Sequence, residues 1–263
     1  MSKLVKAMER AKWTRGGLQA EQDDAFSAPD RHPFPEAITY TKTTVLPAPS
    51  EIMARNRLLG PWLKPAMADT YRMIRIQVAK RLSAKGGGTL MVTSVNPGEG
   101  KTLTALNLAL SWAQEANQTV LLVDANLRAP RLAECLGLAK KPGLYEYLQS
   151  RSNDVSNYLI NPGIEKFVIL PAGEPQDNST ECIGWPKTKA LVRELRSRYP
   201  DRQVIFDCPH LLDMPDTLVF AAQVDGILVV VEEARTQRCD LRAALELLAD
   251  MNVVGIVFNR RKA

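Results

Sequence analysis

The sequence predicts an α/β fold, a doubly wound and mostly parallel sheet, preceded by a flexible N-terminal arm. After residue 88, short apolar runs alternate with longer amphipathic stretches, which is the pattern of strands alternating with helices. The strand cores LLV, VIF and ILVVV are apolar throughout, as expected for strands that helices cover on both faces. The 263 residues, 45% hydrophobic and 24% charged, have the composition of a folded globular protein.

Residues 1–63 form the predicted arm, and residues 64–263 form the predicted domain. Residues 2–13 are basic with apolar side chains three or four positions apart, which indicates a short amphipathic helix. Residues 15–49 are typical of a linker, because they show no sustained apolar period and contain several prolines. Residues 1–85 carry 15 Lys or Arg against 8 Asp or Glu. This basic excess suits an anionic surface or a docking partner, and it is equally compatible with a solvated tail.

The domain begins with a helix over residues 64–85, on which Met67, Tyr71, Ile74 and Val78 form one apolar stripe. Three glycines then end that helix. Six strands are predicted, over residues 89–94, 119–124, 166–170, 203–207, 226–231 and 253–258. Three long helices are predicted between them, over residues 101–115, 188–199 and 236–251, with shorter helical pieces at 131–136, 144–148 and 217–222.

Neither a membrane span nor a disulfide framework is expected. No apolar run approaches the roughly 18–20 residues that a membrane-spanning helix requires, and the first 18 residues lack the apolar stretch of a signal peptide. The four cysteines are far apart and form no CxxC pair, so we expect reduced thiols and no zinc site. These features predict a cytoplasmic protein.

The strongest functional pattern is a glycine-rich turn between the first predicted strand and its helix. Glycines let backbone N–H groups approach a phosphate, a helix N-terminus favours negative charge, and a lysine adds a full positive charge. A following threonine offers its hydroxyl to Mg²⁺. The predicted nucleotide-binding residues are Asn96, Pro97, Gly98, Glu99, Gly100, Lys101, Thr102 and Leu103. Val95 occupies the position at which this P-loop pattern usually begins with glycine.

Two aspartates end neighbouring apolar strands at the same predicted edge of the sheet. Asp124 follows VLLV and Asp207 follows VIF, so both are expected beside the phosphate loop. Together with Thr102 they are the predicted ligands of Mg²⁺, which uses few protein carboxylates and keeps several waters. For each aspartate alone, a helix cap after a strand is the alternative.

Three further polar residues are placed at this edge. Arg128 can reach a phosphate or an acidic group in an adjacent subunit, or it is an ordinary surface arginine. Asn259 and Arg260 follow the last strand, where an adenine ring could be contacted. They complete the predicted nucleotide site.

These motifs resemble those of the bacterial tyrosine kinases, the cytoplasmic P-loop ATPases of exopolysaccharide and capsule assembly. VNPGEGKT resembles the Walker A loop, VLLVDANLR the second Walker A′ motif and VIFDCP the Walker B strand. In DTYRMIR, Asp69, Arg72 and Arg75 resemble the acidic-x-x-Arg-x-x-Arg helix through which family members close into a ring. The short initial helix and proline-bearing linker are similar to the subgroup linked to exosortase-type polysaccharide loci.

The resemblance implies a P-loop NTPase fold of the MinD/ParA-like type, ATP and Mg²⁺ as cofactors, and non-specific protein-tyrosine kinase activity. By the same resemblance, the catalytic residues are Lys101, Asp124 and Arg128, with Asp124 positioning or deprotonating a tyrosine hydroxyl. It also implies a homo-oligomeric ring, and a membrane polysaccharide co-polymerase or chain-length protein as activator, which would hold the protein at the inner face of the plasma membrane. Nucleic acid is not an expected partner.

The chain departs from the family pattern at several positions. Asn126 replaces a second acid of the Walker A′ motif and cannot take a proton, and His210 stands where a proline is usual. The family phosphorylates a C-terminal tyrosine cluster, whereas the last tyrosine here is Tyr199. Two other functions therefore stay open. One is an ATP-dependent switch or scaffold of the same assembly that transfers no phosphate, and the other is a ParA/MinD-like positioning ATPase, which would require a lysine where this chain has Asn96.

Overall fold

The computed structural model describes residues 43–84, 88–197 and 202–260. The strands are β1 Thr44–Val45, β2 Thr89–Ser94, β3 Thr119–Asp124, β4 Ile160–Asn161, β5 Phe167–Leu170, β6 Arg202–Asp207, β7 Gly226–Glu232 and β8 Val253–Asn259. The helices are α1 Ser50–Arg55, α2 Pro65–Ser83, α3 Lys101–Ala113, α4 Leu132–Cys135, α5 Leu144–Gln149, α6 Ser179–Gly184, α7 Pro186–Ser197, α8 Pro215–Ala221 and α9 Arg238–Leu247. A 3₁₀ turn covers Val155–Tyr158.

The strands form one sheet in the order β1-β4-β5-β3-β6-β2-β7-β8. Every neighbouring pair is parallel except β4 and β5. Parallel strands need long crossover connections, and the helices between the strands supply them. The α/β fold with a mostly parallel sheet is therefore confirmed.

Helices cover both faces of the sheet. Successive residues of a strand point to opposite faces, so each face buries a different set of side chains. On one face, Leu90 and Leu122 pack with residues of α1, α2 and α3, including the fully buried Leu106. On the other face, Met91 and Leu121 pack with residues of α5 to α9. The doubly wound arrangement leaves the carboxyl ends of the strands uncovered, and this edge carries the phosphate loop.

The six predicted strands and three predicted long helices are all present, with end positions that differ by a few residues. The short elements β1, β4, α1 and α6 were not predicted. A two-residue strand shows no alternation long enough to detect, and a six-residue helix shows less than two turns of period.

The predicted start of the domain at residue 64 needs correction. β1 pairs with β4, Met53 and Leu58 are buried in the core, and the backbone N–H of Leu59 donates to Asn107 Oδ1 at 2.7 Å. The fold therefore already includes residues 44–59. The predicted amphipathic helix and most of the predicted linker lie outside the described residues.

Helix α2 begins at Pro65, the position in a helix where the missing N–H of proline costs nothing. Of its predicted apolar stripe, Tyr71 and Val78 are buried and Ile74 is half-buried, whereas Met67 is exposed. None of the helices in the described ranges is long and apolar enough to cross a membrane.

Candidate functional site

The phosphate loop connects β2 to α3 and depends on two glycines. Gly98 and Gly100 have φ angles of 81° and 95°, a left-handed conformation that is strained for other residues. A Cβ atom on Gly100 would lie 2.2 Å from Asn259 Nδ2, so this position also lacks room for a side chain. Val95, at the place of the usual first glycine, is fully buried and its φ angle is not positive. A glycine is therefore unnecessary there.

Side chains of the loop itself, of β8, and of α9 with the residues before it hold this loop in place through hydrogen bonds. The buried Glu99 carboxylate accepts hydrogen bonds from the Asn96 backbone N–H at 3.0 Å and the Thr236 hydroxyl at 2.6 Å. Asn96 Nδ2 donates to Asp240, and Asn259 Nδ2 donates to the Glu99 carbonyl at 2.9 Å. The side chains of Glu99, Asn96 and Asn259 thus hold the loop in shape, a role that the sequence analysis did not assign to them.

Helix α3 begins at Lys101, directly after Gly100, and no side chain of the described residues caps it. Its first backbone N–H groups therefore point out of the helix without intrahelical partners. Pro97 and Gly98 are exposed at the tip of the loop, while Lys101, Thr102 and Leu103 are half-buried. The loop thus offers backbone donors and a lysine to an anion.

Asp124 and Asp207 lie next to each other at the ends of β3 and β6, as expected. They are register partners, and their exposed fractions are 1% and 0%. Burial raises the pKa of Asp124 to about 7, and the neighbouring Asp207 charge adds to the rise. Burial raises the pKa of Asp207 to about 6, although Lys101 and the Thr102 hydroxyl oppose that rise. The predicted loop residues Lys101 and Thr102 are therefore close to Asp207.

Asp124 is also held in place by the chain that follows it. Its Oδ2 atom accepts the backbone N–H groups of Arg131 and Leu132 at 3.1 and 3.0 Å, and its Oδ1 atom accepts that of Asn126 at 3.2 Å. The helix-cap alternative is thus part of its role, since Leu132 begins α4. Asn126 is fully engaged as well, because its amide both donates to and accepts from the Ala129 backbone.

The donor set fits a magnesium ion. Both carboxylate oxygens of Asp207 are buried and lack a hydrogen-bond partner in the described part of the chain, whereas buried polar atoms are normally satisfied. Among the described residues, no group of three or more His, Cys, Asp or Glu could hold a metal. Mg²⁺ requires no such cage, because it binds one or two carboxylates together with phosphates and water. The site residues therefore suit Mg²⁺ rather than a structural metal.

Arg128 forms an ion pair with a buried polar cluster that the sequence did not predict. Its guanidinium Nη2 lies 3.9 Å from Oδ1 of Asp216, a residue that is 1% exposed at the start of α8. The hydroxyls of Ser179 and Thr180 on α6 also donate to Asp216. An aspartate directly before a predicted helix is ordinary in sequence, so only the tertiary structure reveals the cluster.

Arg260 lies at the same edge and makes an ion pair with Glu232 of β7. Its Nη1 atom is 2.9 Å from Glu232 Oε2, and Arg235 Nη1 is 3.1 Å from the same oxygen. These two cations lower the pKa of Glu232. His210 lies near Lys101, and burial together with that lysine lowers the pKa of its imidazole.

The three predicted interface residues lie on α2, on the face of the sheet that carries α3. Asp69 and Arg72 are exposed and pair with each other at 2.6 Å. Arg75 is mostly buried, and its guanidinium donates to the Ser111 carbonyl at 2.6 Å and pairs with Glu115 of the same chain. Of this trio, therefore, Asp69 and Arg72 remain accessible, whereas Arg75 joins α2 to the end of α3.

A cavity of about 540 Å³ opens beside Asp124. Its lining includes Arg128, Pro130 and Ala133 on one side, and Pro171, Ala172 and Gly173 after β5 on the other. Two lysines, Lys140 and Lys141, also line it. The buried Asp124 at the sheet edge thus forms part of the wall of this cavity.

Comparison with known proteins identifies relatives, although no family model matches the chain. The tyrosine-protein kinase YwqD of Bacillus subtilis is 30% identical over 213 residues, which cover 80% of this chain and 88% of YwqD. The succinoglycan biosynthesis transport protein ExoP of Rhizobium meliloti is 29% identical over 210 residues, and the match spans about a quarter of ExoP, 26% of its length.

Among solved structures, the kinase domain of VpsO superposes with a TM-score of 0.66 at 28% sequence identity. The match covers 75% of this chain and 97% of that domain. The similarity to YwqD thus extends over most of both chains. The chain belongs to the family of bacterial tyrosine kinases.

Proposed function

We propose that this chain is an ATP-dependent protein-tyrosine kinase that controls the polymerisation or export of an exopolysaccharide. The observation that carries the proposal is the in-register pair of buried carboxylates, Asp124 and Asp207, at the sheet edge that also bears the phosphate loop. The names of the relatives YwqD and ExoP supply the activity and the polysaccharide context.

In this proposal the phosphate loop binds the nucleotide. The backbone N–H groups around Gly98 and Gly100, together with the Lys101 ammonium, bind the phosphates of ATP at the N-terminus of α3. Thr102, Asp207 and Asp124 hold Mg²⁺, which when bound neutralises phosphate charge. Glu99 contributes by keeping the loop in its binding conformation.

Asp124 is the residue that handles the acceptor. Its Oδ1 atom accepts one backbone hydrogen bond whereas Oδ2 accepts two, so Oδ1 is the atom with capacity for a tyrosine hydroxyl. Asp124 is part of the cavity wall, so an acceptor side chain bound in the cavity would lie beside this carboxylate. Asp124 thereby orients the hydroxyl and receives its proton as the oxygen attacks the γ-phosphate, whose bond to the β–γ bridging oxygen breaks to release ADP.

We extend the proposal to assembly and partners. The exposed Asp69 and Arg72 on α2 would contact a second copy of the chain in a ring. The cytoplasmic segment of a membrane polysaccharide co-polymerase would serve as activator. Both elements come from the family resemblance.

The test is a turnover assay with Mg·ATP, with and without the cytoplasmic segment of the co-polymerase, in which ADP and phosphotyrosine are both measured. Lys101→Met should abolish nucleotide binding, and Asp124→Asn should preserve binding while stopping phosphotransfer. Lys189→Met on α7 is the matched control and should behave like the unchanged protein. Phosphotransfer by the Asp124→Asn variant at an undiminished rate would contradict the role of Asp124.

A second candidate function is an ATP-dependent switch or scaffold in the same assembly. It is favoured by Asn126, which cannot take a proton and whose amide is committed to the Ala129 backbone. The same assay separates the two functions, because a switch would release ADP or bind ATP without forming phosphotyrosine.

A further inference from the structure

We propose that the cavity beside Asp124 is a peptide site, and that Lys140 and Lys141 at its rim select acceptor tyrosines flanked by acidic residues. The inference deepens the proposed kinase function by naming the class of its substrate, and it rests on that function. It concerns how the acceptor is chosen, which neither the phosphate loop nor the carboxylate pair determines.

The dimensions and lining of the cavity suit an aromatic side chain. At about 540 Å³ it falls within the roughly 300–1,000 Å³ range of small-ligand sites. Pro130, Ala133 and Leu138 line it together with Pro171 and Ala172 after β5. These apolar walls would bury a phenol ring, and Asp124 in the lining would meet its hydroxyl.

The positive charge is concentrated where flanking residues of a peptide would lie. Lys140 and Lys141 line the cavity, and both are exposed. Lys140 is 3.9 Å from Glu174, but side chains that are 80% and 66% exposed gain little from such a pair. Lys141 makes no ion pair within the described ranges. Its ammonium is therefore available to a ligand.

The acidic groups around the cavity do not cancel this charge at the rim. Asp124 and Asp216 are buried, away from the exposed residues of a peptide. Among the exposed charged residues of the lining, Glu134 is one carboxylate against three cations, Arg128, Lys140 and Lys141, so the net charge there is positive. The exposed rim thus carries a net positive charge while Asp124 lies deeper, which favours a peptide with a central tyrosine and acidic neighbours.

The test measures peptide binding directly, so that it does not depend on catalysis. Two fluorescent peptides of equal length, one with glutamates and one with lysines around a single tyrosine, are titrated by fluorescence anisotropy at low salt. We expect the acidic peptide to bind about 10-fold more tightly, with the preference shrinking as salt screens it. The double variant Lys140→Glu/Lys141→Glu should reverse the preference.

Two variants separate this site from general charge effects. Lys189→Glu/Arg193→Glu on α7 changes the net charge equally but lines a different groove, so it should keep the preference. Ala129→Trp places a large side chain at an exposed position of the cavity lining and should weaken both peptides. Equal affinity for the two peptides, binding of neither, or an equal loss in both charge variants would overturn the proposal.

Phosphotyrosine formation on the same peptides, with Mg·ATP, distinguishes the inference from the proposed function. Lysine-dependent preference without phosphotransfer would support the peptide site and contradict the kinase activity. Phosphotransfer at equal rates to both peptides would support the kinase activity and overturn the selectivity.

Discussion

Asp124 and Asp207 are register partners on the adjacent parallel strands β3 and β6, with both carboxyl groups buried. Two like charges at neighbouring strand ends disfavour each other, and burial disfavours each of them further. Lys101 supplies the nearby positive charge that opposes this effect at Asp207. The two buried carboxylates therefore destabilise the folded protein when no cation is bound. Such an arrangement is expected of a cation-binding site and not of a core that serves stability alone.

The first prediction concerns the pH dependence of stability. The folded pKa values of about 7 for Asp124 and about 6 for Asp207 lie above the ordinary aspartate value. The folded state thus binds more protons than the unfolded state across the interval between the ordinary and the raised pKa values. Stability contributed by this pair is full below that interval and is lost as the pH rises through it. The nucleotide-free protein should resist urea better at about pH 5 than at about pH 8 through this effect.

Asp207→Asn removes one of the two charges and should flatten this pH dependence. At about pH 8 it should stabilise the nucleotide-free protein by about 1–2 kcal/mol, since it removes a buried like charge that Lys101 offsets only in part. Asp250→Asn, at an exposed position, makes the same change in net charge and should have no such effect. If the free energy of unfolding depended on pH identically in the Asp207→Asn variant and the unchanged protein, the interpretation that Asp124 and Asp207 interact would be refuted.

Gly100→Ala should damage both stability and nucleotide binding. The left-handed φ angle costs a residue with a Cβ about 1 kcal/mol or more, and the Cβ would collide with the Asn259 amide. We expect a total loss of about 2 kcal/mol in the free energy of unfolding. Gly184→Ala is the matched control, because a Cβ there has nothing within 4 Å. Thermal melts of both variants, with and without ATP, test this.

Thr236→Val should make the phosphate loop less rigid, although Thr236 is not itself a residue of the loop. The hydroxyl donates to the buried Glu99 and accepts the Glu232 backbone N–H at 2.9 Å, so its removal leaves two polar groups unpaired. We expect a loss of about 1–3 kcal/mol in stability and weaker ATP binding. Thr70→Val removes a hydroxyl that makes one exposed local bond and should change neither. Calorimetric ATP titrations that show equal affinity for the two variants would exclude the brace.

Asp216→Ala should destabilise the protein strongly, although the residue lies outside every recognised motif. It leaves the hydroxyls of Ser179 and Thr180 without their acceptor and removes the ion-pair partner of Arg128. We expect a loss of about 2–4 kcal/mol, because two hydroxyls of the cluster lose a charged acceptor. Asp177→Ala, an exposed change beside α6, should cost little. Urea unfolding with coincident midpoints for both variants would contradict the prediction.

Much of the fold was predictable, because the long helices and strands show recognisable patterns of apolar residues in the sequence. The strand over Thr89–Ser94 and the start of α3 at Lys101 were predicted to the residue, since a continuous apolar run and a glycine turn are local signals. The predicted proximity of Asp124 and Asp207 followed from a general rule, that parallel strands end at one edge.

The rest could not be predicted, because it depends on residues that are distant in the chain. Thr236 meets Glu99 across 137 positions, and Ser179 meets Asp216 across 37, and neither pair has a sequence pattern. The burial of Met53, Leu58 and Leu59 likewise depends on the surface against which they pack. The amino-acid sequence by itself determined the elements, the phosphate loop and the edge at which the carboxylates end. Only the tertiary structure decided which groups brace that loop and what surrounds Asp124, because buried hydrogen bonds and cavities form between segments and not within them.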